Sequence, residues 1–225
     1  SGQGDTIYVE ARTLALAKAR LFEMMGDIPE HLLQVEPGSN FAPLRRDRKS
    51  MKAPIVIYHA NCWDGFCAAW IADKALGDVE YGRLEMFKAY YGQSAPDVTG
   101  RDVYILDFSY KRDEMRRIMS QAHKVVVLDH HKTAQAELDG IVDEFIQRPD
   151  LISNPPGSEL PVVVFNMNKS GGRLTWEFFH GDAPAPWLVD YTEDRDLWRH
   201  ALRDTEEINA ALRSYPLKHD LWDEF

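Results

Sequence analysis

Val125-Val126-Val127-Leu128-Asp129-His130-His131-Lys132 runs four apolar residues straight into an acid, two imidazoles and a cation. A short, fully apolar, β-branched run of this kind reads as a strand covered on both faces, the habit of parallel sheets flanked by helices. Polar groups placed directly beyond such a strand are expensive to bury without a partner or a task. Two upstream stretches share the layout. Ile55-Val56-Ile57-Tyr58 leads into His59, Asn61, Cys62 and Asp64-Gly65, and Val103-Tyr104-Ile105-Leu106 leads into Asp107. Open α/β sheets take their ligands outside the carboxyl ends of the strands, so these side chains are expected to converge although they are far apart in sequence.

Around these strands the pattern predicts helices over 64–75, 111–122, 174–179 and 187–198, a short strand over 79–81 and a late strand over 162–165. The fold class is α/β, with a mainly parallel β-sheet flanked by helices. Ahead of it, Leu14, Ala17, Leu21, Met24 and Ile28 recur at helical spacing. Gly26 ends that helix, and Asp27 with Pro29 and Glu30 opens a shorter one. Three prolines and the cluster Arg45, Arg46, Arg48, Lys49 and Lys52 mark a solvated basic linker. The division is a helical extension with linker over 1–50 and a catalytic domain over 51–225. The extension helix packs on the main core or docks a partner or a second copy of the chain.

The 225 residues suit one domain with an appendage. Apolar and charged fractions of 44% and 28% exclude collagen-like and wholly disordered chains, and two cysteines exclude a disulfide framework. No apolar run approaches the roughly 20 residues of a membrane span. No secretory leader is evident at Ser1, so a reducing cytoplasm is the expected compartment. A formal charge of -10 disfavours long duplex DNA but leaves room for a small phosphorylated ligand drawn to bound divalent cations.

Taken singly, each polar residue has an ordinary reading. Asp64 serves equally well as a helix cap, Cys62 as a small buried residue, Asp107 as the start of a turn and Ser170 as a cap. Agreement at three strand ends outweighs those readings. Asp129-His130-His131 after its strand, His59 with Asp64-Gly65 after the first strand, and Asp107 between them resemble the DHH phosphoesterase superfamily over roughly residues 54–200. That superfamily includes RecJ-like exonucleases, nanoRNA and cyclic-dinucleotide phosphodiesterases and manganese-dependent pyrophosphatases. Its second, substrate-binding domain has no visible counterpart before Phe225.

The resemblance implies two manganese ions bridged by Asp107, with water between them as the nucleophile; Zn2+, Co2+ and Mg2+ are alternatives. His59 would bind one ion, and Asp64 and His130 the other. His131 would face the phosphate, with Asp129 orienting a neighbouring ligand. A later helical acid completes the set, and Asp194 is taken ahead of Asp190 and Asp196. The first motif departs from the family pattern: Cys62 stands near the place of an aspartate, so Cys62, Asn61 or water fills the first site, and a thiolate favours zinc. Ser170, Gly171 and Arg173 resemble the family's helix-start segment, which receives phosphate at backbone amides. The expected activity is hydrolysis of a phosphodiester or phosphoanhydride, in a short oligonucleotide or small nucleotide. The alternative is a degenerate DHH domain that binds nucleotide or a partner without turnover.

Overall fold

The computed structural model describes residues 52–79, 82–147 and 161–225. The extension and linker expected over 1–50 lie outside the described residues. In chain order the elements are β1 (Ile55–His59), α1 (Trp63–Leu76), β2 (Asp78–Val79), β3 (Gly82–Arg83), β4 (Glu85–Ala89), β5 (Asp102–Leu106), α2 (Arg112–Gln121), β6 (Lys124–Asp129), α3 (Lys132–Leu138), α4 (Ile141–Gln147), β7 (Val162–Phe165), α5 (Gly171–His180), α6 (Trp187–Asp196), α7 (Thr205–Arg213) and α8 (His219–Trp222).

Five strands form one all-parallel sheet in the order β4-β1-β5-β6-β7, while β2 and β3 pair as a separate antiparallel ribbon. Val and Ile dominate β1, β5 and β6 because central parallel strands are buried on both faces. Alternate residues Ile55, Ile57, Val103, Ile105, Val125 and Val127 face one way, onto Met115, Ile118 and Met119 of α2 and Ile141 and Phe145 of α4. On the other side α1 packs against α5. The small residues Cys67, Ala68, Ala69 and Ala72 are fully buried in α1, which lets its axis lie close to its neighbours.

The pairing registers set Tyr58 beside Leu106, Leu106 beside Leu128 and Leu128 beside Val164. Residues just after these positions therefore stand at one level of the sheet rim. From β1 the chain passes to β4 on one side and then crosses back to β5 on the other, so the order reverses between β1 and β5. A crevice opens at such a reversal, outside the strands' carboxyl ends.

Last in the chain, α8 clasps α1. The Trp222 ring lies 5.0 Å from Phe66, 5.8 Å from Trp70 and 5.9 Å from Trp63. Trp70 Nε1 donates to Asp223 at 2.8 Å, Lys74 pairs with the same carboxylate, and His219 Nδ1 lies 2.7 Å from Asp73. The expected α/β class is observed. The short strand expected over 79–81 begins at Asp78 as β2, with residues 80 and 81 outside the described ones, and strands β3 and β4 and helices α3, α4, α7 and α8 come as additions to the elements expected from sequence.

Candidate functional site

Each strand end hands its polar residue to the crevice by a distinct local device. The Asp107 amide donates to Leu128 O at 2.9 Å, extending the ladder one step before the backbone turns left-handed at φ 52°. Asp is among the few residues with a side chain that enter this region readily. In the turn after β1, Asn61 does the same at φ 55°. Two close approaches then require glycine. A Cβ on Gly65 would stand 2.5 Å from His59 O, and one on Gly171 would stand 2.5 Å from Asp107 Cβ. With hydrogen in those places, the first turns of α1 and α5 reach the rim of the sheet.

Asp64, in the first turn of α1, is 1% exposed, and its two carboxylate oxygens accept the backbone N–H groups of Gly171 and Gly172. The acceptor at the start of α5 is thus the protein's own side chain. Asp129 is fully buried. Its Oδ2 accepts from Ser109 Oγ at 2.6 Å, while Oδ1 accepts from the amides of His130 and His131 and lies 2.6 Å from His131 Nδ1. With Nδ1 committed to Asp129, His131 has Nε2 left for other partners.

Three carboxylates surround the remaining imidazole. His130 Nε2 lies 3.1 Å from Asp107 Oδ1, 3.6 Å from Asp196 Oδ2 and 3.7 Å from Asp64 Oδ2. Across the crevice His59 Nδ1 is 3.5 Å from Asp107 Oδ2 without hydrogen-bond alignment, and both buried atoms lack a hydrogen-bond partner among the described residues. Three groups bring their potential ligand atoms within 4.8 Å of one another: His59 with Cys62 and Asp107, Asp64 with His130 and Asp196, and Asp107 with His130 and His131. Asp107 belongs to two of them.

The electrostatics match this crowding. Burial, then the charges of Asp107 and Asp196, push the Asp64 carboxyl well above its usual range, and burial with Asp107 raises Asp196. Burial alone would raise Asp107 as well, but His130 and His59 outweigh it and hold the group low. Burial works against a charged His130, yet the surrounding carboxylates raise it to about 9. Its bond to Asp129 is the main cause that raises His131. Burial pushes the Cys62 thiol up, and the Asp107 charge adds to that. Among the described residues no Lys or Arg ion-pairs with Asp64, Asp107 or Asp196; imidazoles offset the three acids, with the Arg195 charge adding to them at Asp196. Buried like charges of this kind are the usual setting for a bound cation.

The structure brings His59, Cys62, Asp64, Asp107, His130 and His131 together, with Asp129 behind His131. It corrects five other expectations. Asp194 faces away: its carboxylate accepts from the Ala201 and Leu202 amides and from Thr205 Oγ1, which ties the loop after α6 to α7. Asp196 takes its expected place. Residues two apart on a helix point about 200° apart, so one of the two had to turn away. Ser170 is fully buried and caps α5 by accepting the Arg173 amide, rather than lining a ligand pocket. Gly171 gives its amide to Asp64. Arg173 pairs with Asp190 and, at 2.9 Å, with Glu193. Its guanidinium is committed inside the fold. Asn61 contributes a left-handed turn residue on the exposed side. Sequence reading missed Ser109 and Tyr91. Ser109 sits two residues beyond Asp107, a spacing that offers a signal; nothing marked Tyr91.

Fold and site together define a doubly wound parallel α/β protein with an acid and imidazole cluster at its switch point. No family model matches the chain, and no solved structure matches it. The chain is similar to an uncharacterized protein, R106, of Acanthamoeba polyphaga mimivirus, at 29% identity over 183 residues. That match takes in 76% of this chain and 39% of the viral protein's length.

Proposed function

We propose that this chain is a divalent-metal-dependent phosphoesterase acting on a short oligonucleotide or small nucleotide. The supporting observation is the sharing of Asp107 between two groups of ligand atoms, one with His59 and Cys62 and the other with His130 and His131, while His130 also belongs to the group of Asp64 and Asp196. His59 Nδ1 and Asp107 Oδ2, buried atoms without a hydrogen-bond partner among the described residues, lie 3.5 Å apart where a cation would satisfy both. His59, Cys62 and Asp107 would hold one ion, and Asp107, Asp64, His130 and Asp196 the other. Oxygen and imidazole donors suit manganese or magnesium, and the Cys62 sulfur shifts the first position towards zinc or cobalt. Such ions, when bound, supply activated water and neutralise charge on phosphoryl oxygens.

The chain's own contribution is placement. Asp107 holds both halves of the cluster at one distance, fixed by its ladder hydrogen bond and the packing of Gly171. Asp64 is oriented by two backbone amides, which leaves each oxygen a further lone pair. His131, pinned at Nδ1 by Asp129 and behind it Ser109, presents Nε2 to donate to a phosphoryl oxygen or to the leaving oxygen. Asp129 and Ser109 are positioning residues.

Manganese titration should load two ions per chain, and the loaded protein should release mononucleotides from RNA of two to five residues. Asp107→Asn should lose both properties. Hydrolysis of inorganic pyrophosphate alone would overturn the nucleotide assignment. A second reading, a degenerate domain that binds nucleotide or a partner without turnover, is favoured by one feature: a thiol stands in the His59 group where a second carboxylate would serve. One ion or none per chain, with no hydrolysis in manganese, zinc or cobalt, would establish it.

A further inference from the structure

Beside the cluster stands an aromatic ring with no internal reason to be exposed. Tyr91 follows the edge strand β4, in a tight turn closed by the Gln93 amide donating to Tyr90 O at 3.1 Å and completed by Gly92 at φ 84°. Its ring lies 5.0 Å from Phe108, 5.1 Å from His59 and 6.5 Å from His131, centroid to centroid. Phe108, the residue after Asp107, is 1% exposed and gives the ring a rigid backing. Tyr91 nonetheless remains 62% exposed. A side chain clamped against three rings of the site and still open to solvent is preorganised for a flat partner, and nucleobases stack on such rings whatever their sequence.

Resting on the proposed phosphoesterase reading, we propose that Tyr91 is the nucleobase platform of the site, so that the substrate is a nucleoside phosphoester and not a bare phosphoanhydride. A phosphate held at His131 and the cluster would have its attached nucleoside within a ring's width of Tyr91. Tyr90 provides the internal comparison. It is 48% exposed in the same turn, yet among the described residues its ring makes no contact with His59, Phe108 or His131.

The test measures binding of diadenylate, and of the same dinucleotide with one adenosine replaced by an abasic sugar, to the manganese-treated full chain by calorimetry. The wild type is expected to prefer diadenylate by on the order of tenfold or more, the scale of one base stacked on an aromatic ring. Tyr91→Ala should erase that preference without weakening abasic binding. Tyr91→Trp should restore it, and Tyr90→Ala should keep it. Equal affinity for both ligands in the wild type, no binding of either, or the same loss for both ligands in Tyr91→Ala would overturn the platform. Hydrolysis in the same samples is read separately. Selective binding without turnover would leave Tyr91 assigned and remove the phosphoesterase.

Discussion

Asp107 combines two demands that rarely fall on one residue. Its backbone is left-handed and its side chain is a buried charge, so the substitutions that separate those demands are informative. Ala at this position removes the carboxylate and also adds a conformational penalty of about 1–2 kcal/mol, whereas Asn tolerates the backbone and removes only the charge. Gly171 is the matching constraint on α5. A methyl there would lie 2.5 Å from Asp107 Cβ and 2.9 Å from its Cα, neither of which is the yielding tip of a long side chain. Gly171→Ala should therefore cost about 1–3 kcal/mol, the usual penalty of overpacking. It should also draw the Gly171 amide away from Asp64. Denaturant midpoints measure the first effect, and an unchanged midpoint would mean that α5 does not pack as described.

At the level of elements, α8 holds α1, and α1 carries Asp64. Burial alone would raise the Asp223 carboxyl, but Lys74 and Trp70 outweigh it and hold the group below its ordinary value of about 3.9. A lowered native value means that the clasp contributes fully above the unfolded value and loses its contribution as pH falls through the native one. The pair is partly open to solvent, so the contribution is about 1 kcal/mol or less. Acidification below pH 4 should change tryptophan fluorescence, because Trp63, Trp70 and Trp222 all sit at this contact, and Asp223→Asn should weaken that acid response. The elements also divide by how readable they are. Val- and Ile-rich β1, β5 and β6 announce themselves because they are covered on both faces. Strand β4, Glu-Met-Phe-Lys-Ala, does not: it is an edge strand whose Glu85 and Lys88 face water, as edges commonly do. Asp194 and Asp196 were separable only by the loop that Asp194 caps, a long-range partnership with Ala201, Leu202 and Thr205 that no local pattern encodes.

For the molecule as a whole, the proposed ligand set spans His59 to Asp196 and is drawn from the ends of three strands and two helices. Ions that bind only this assembled arrangement stabilise the native state by mass action, about 2.7 kcal/mol at a hundred times the dissociation constant. Manganese should accordingly raise the melting temperature and a chelator should reverse the rise, whereas Asp107→Asn should fold and show no such response. A manganese-dependent rise of equal size in Asp107→Asn would locate the bound ions elsewhere. Unfolded, these residues are isolated single-tooth ligands with negligible hold on a cation; folded, under the proposed function, they would act together as a multidentate chelator. Under the proposed function, metal starvation would act twice: it would halt turnover, and it would leave more of the chain open to proteases, so that cellular abundance itself would follow the supply of metal.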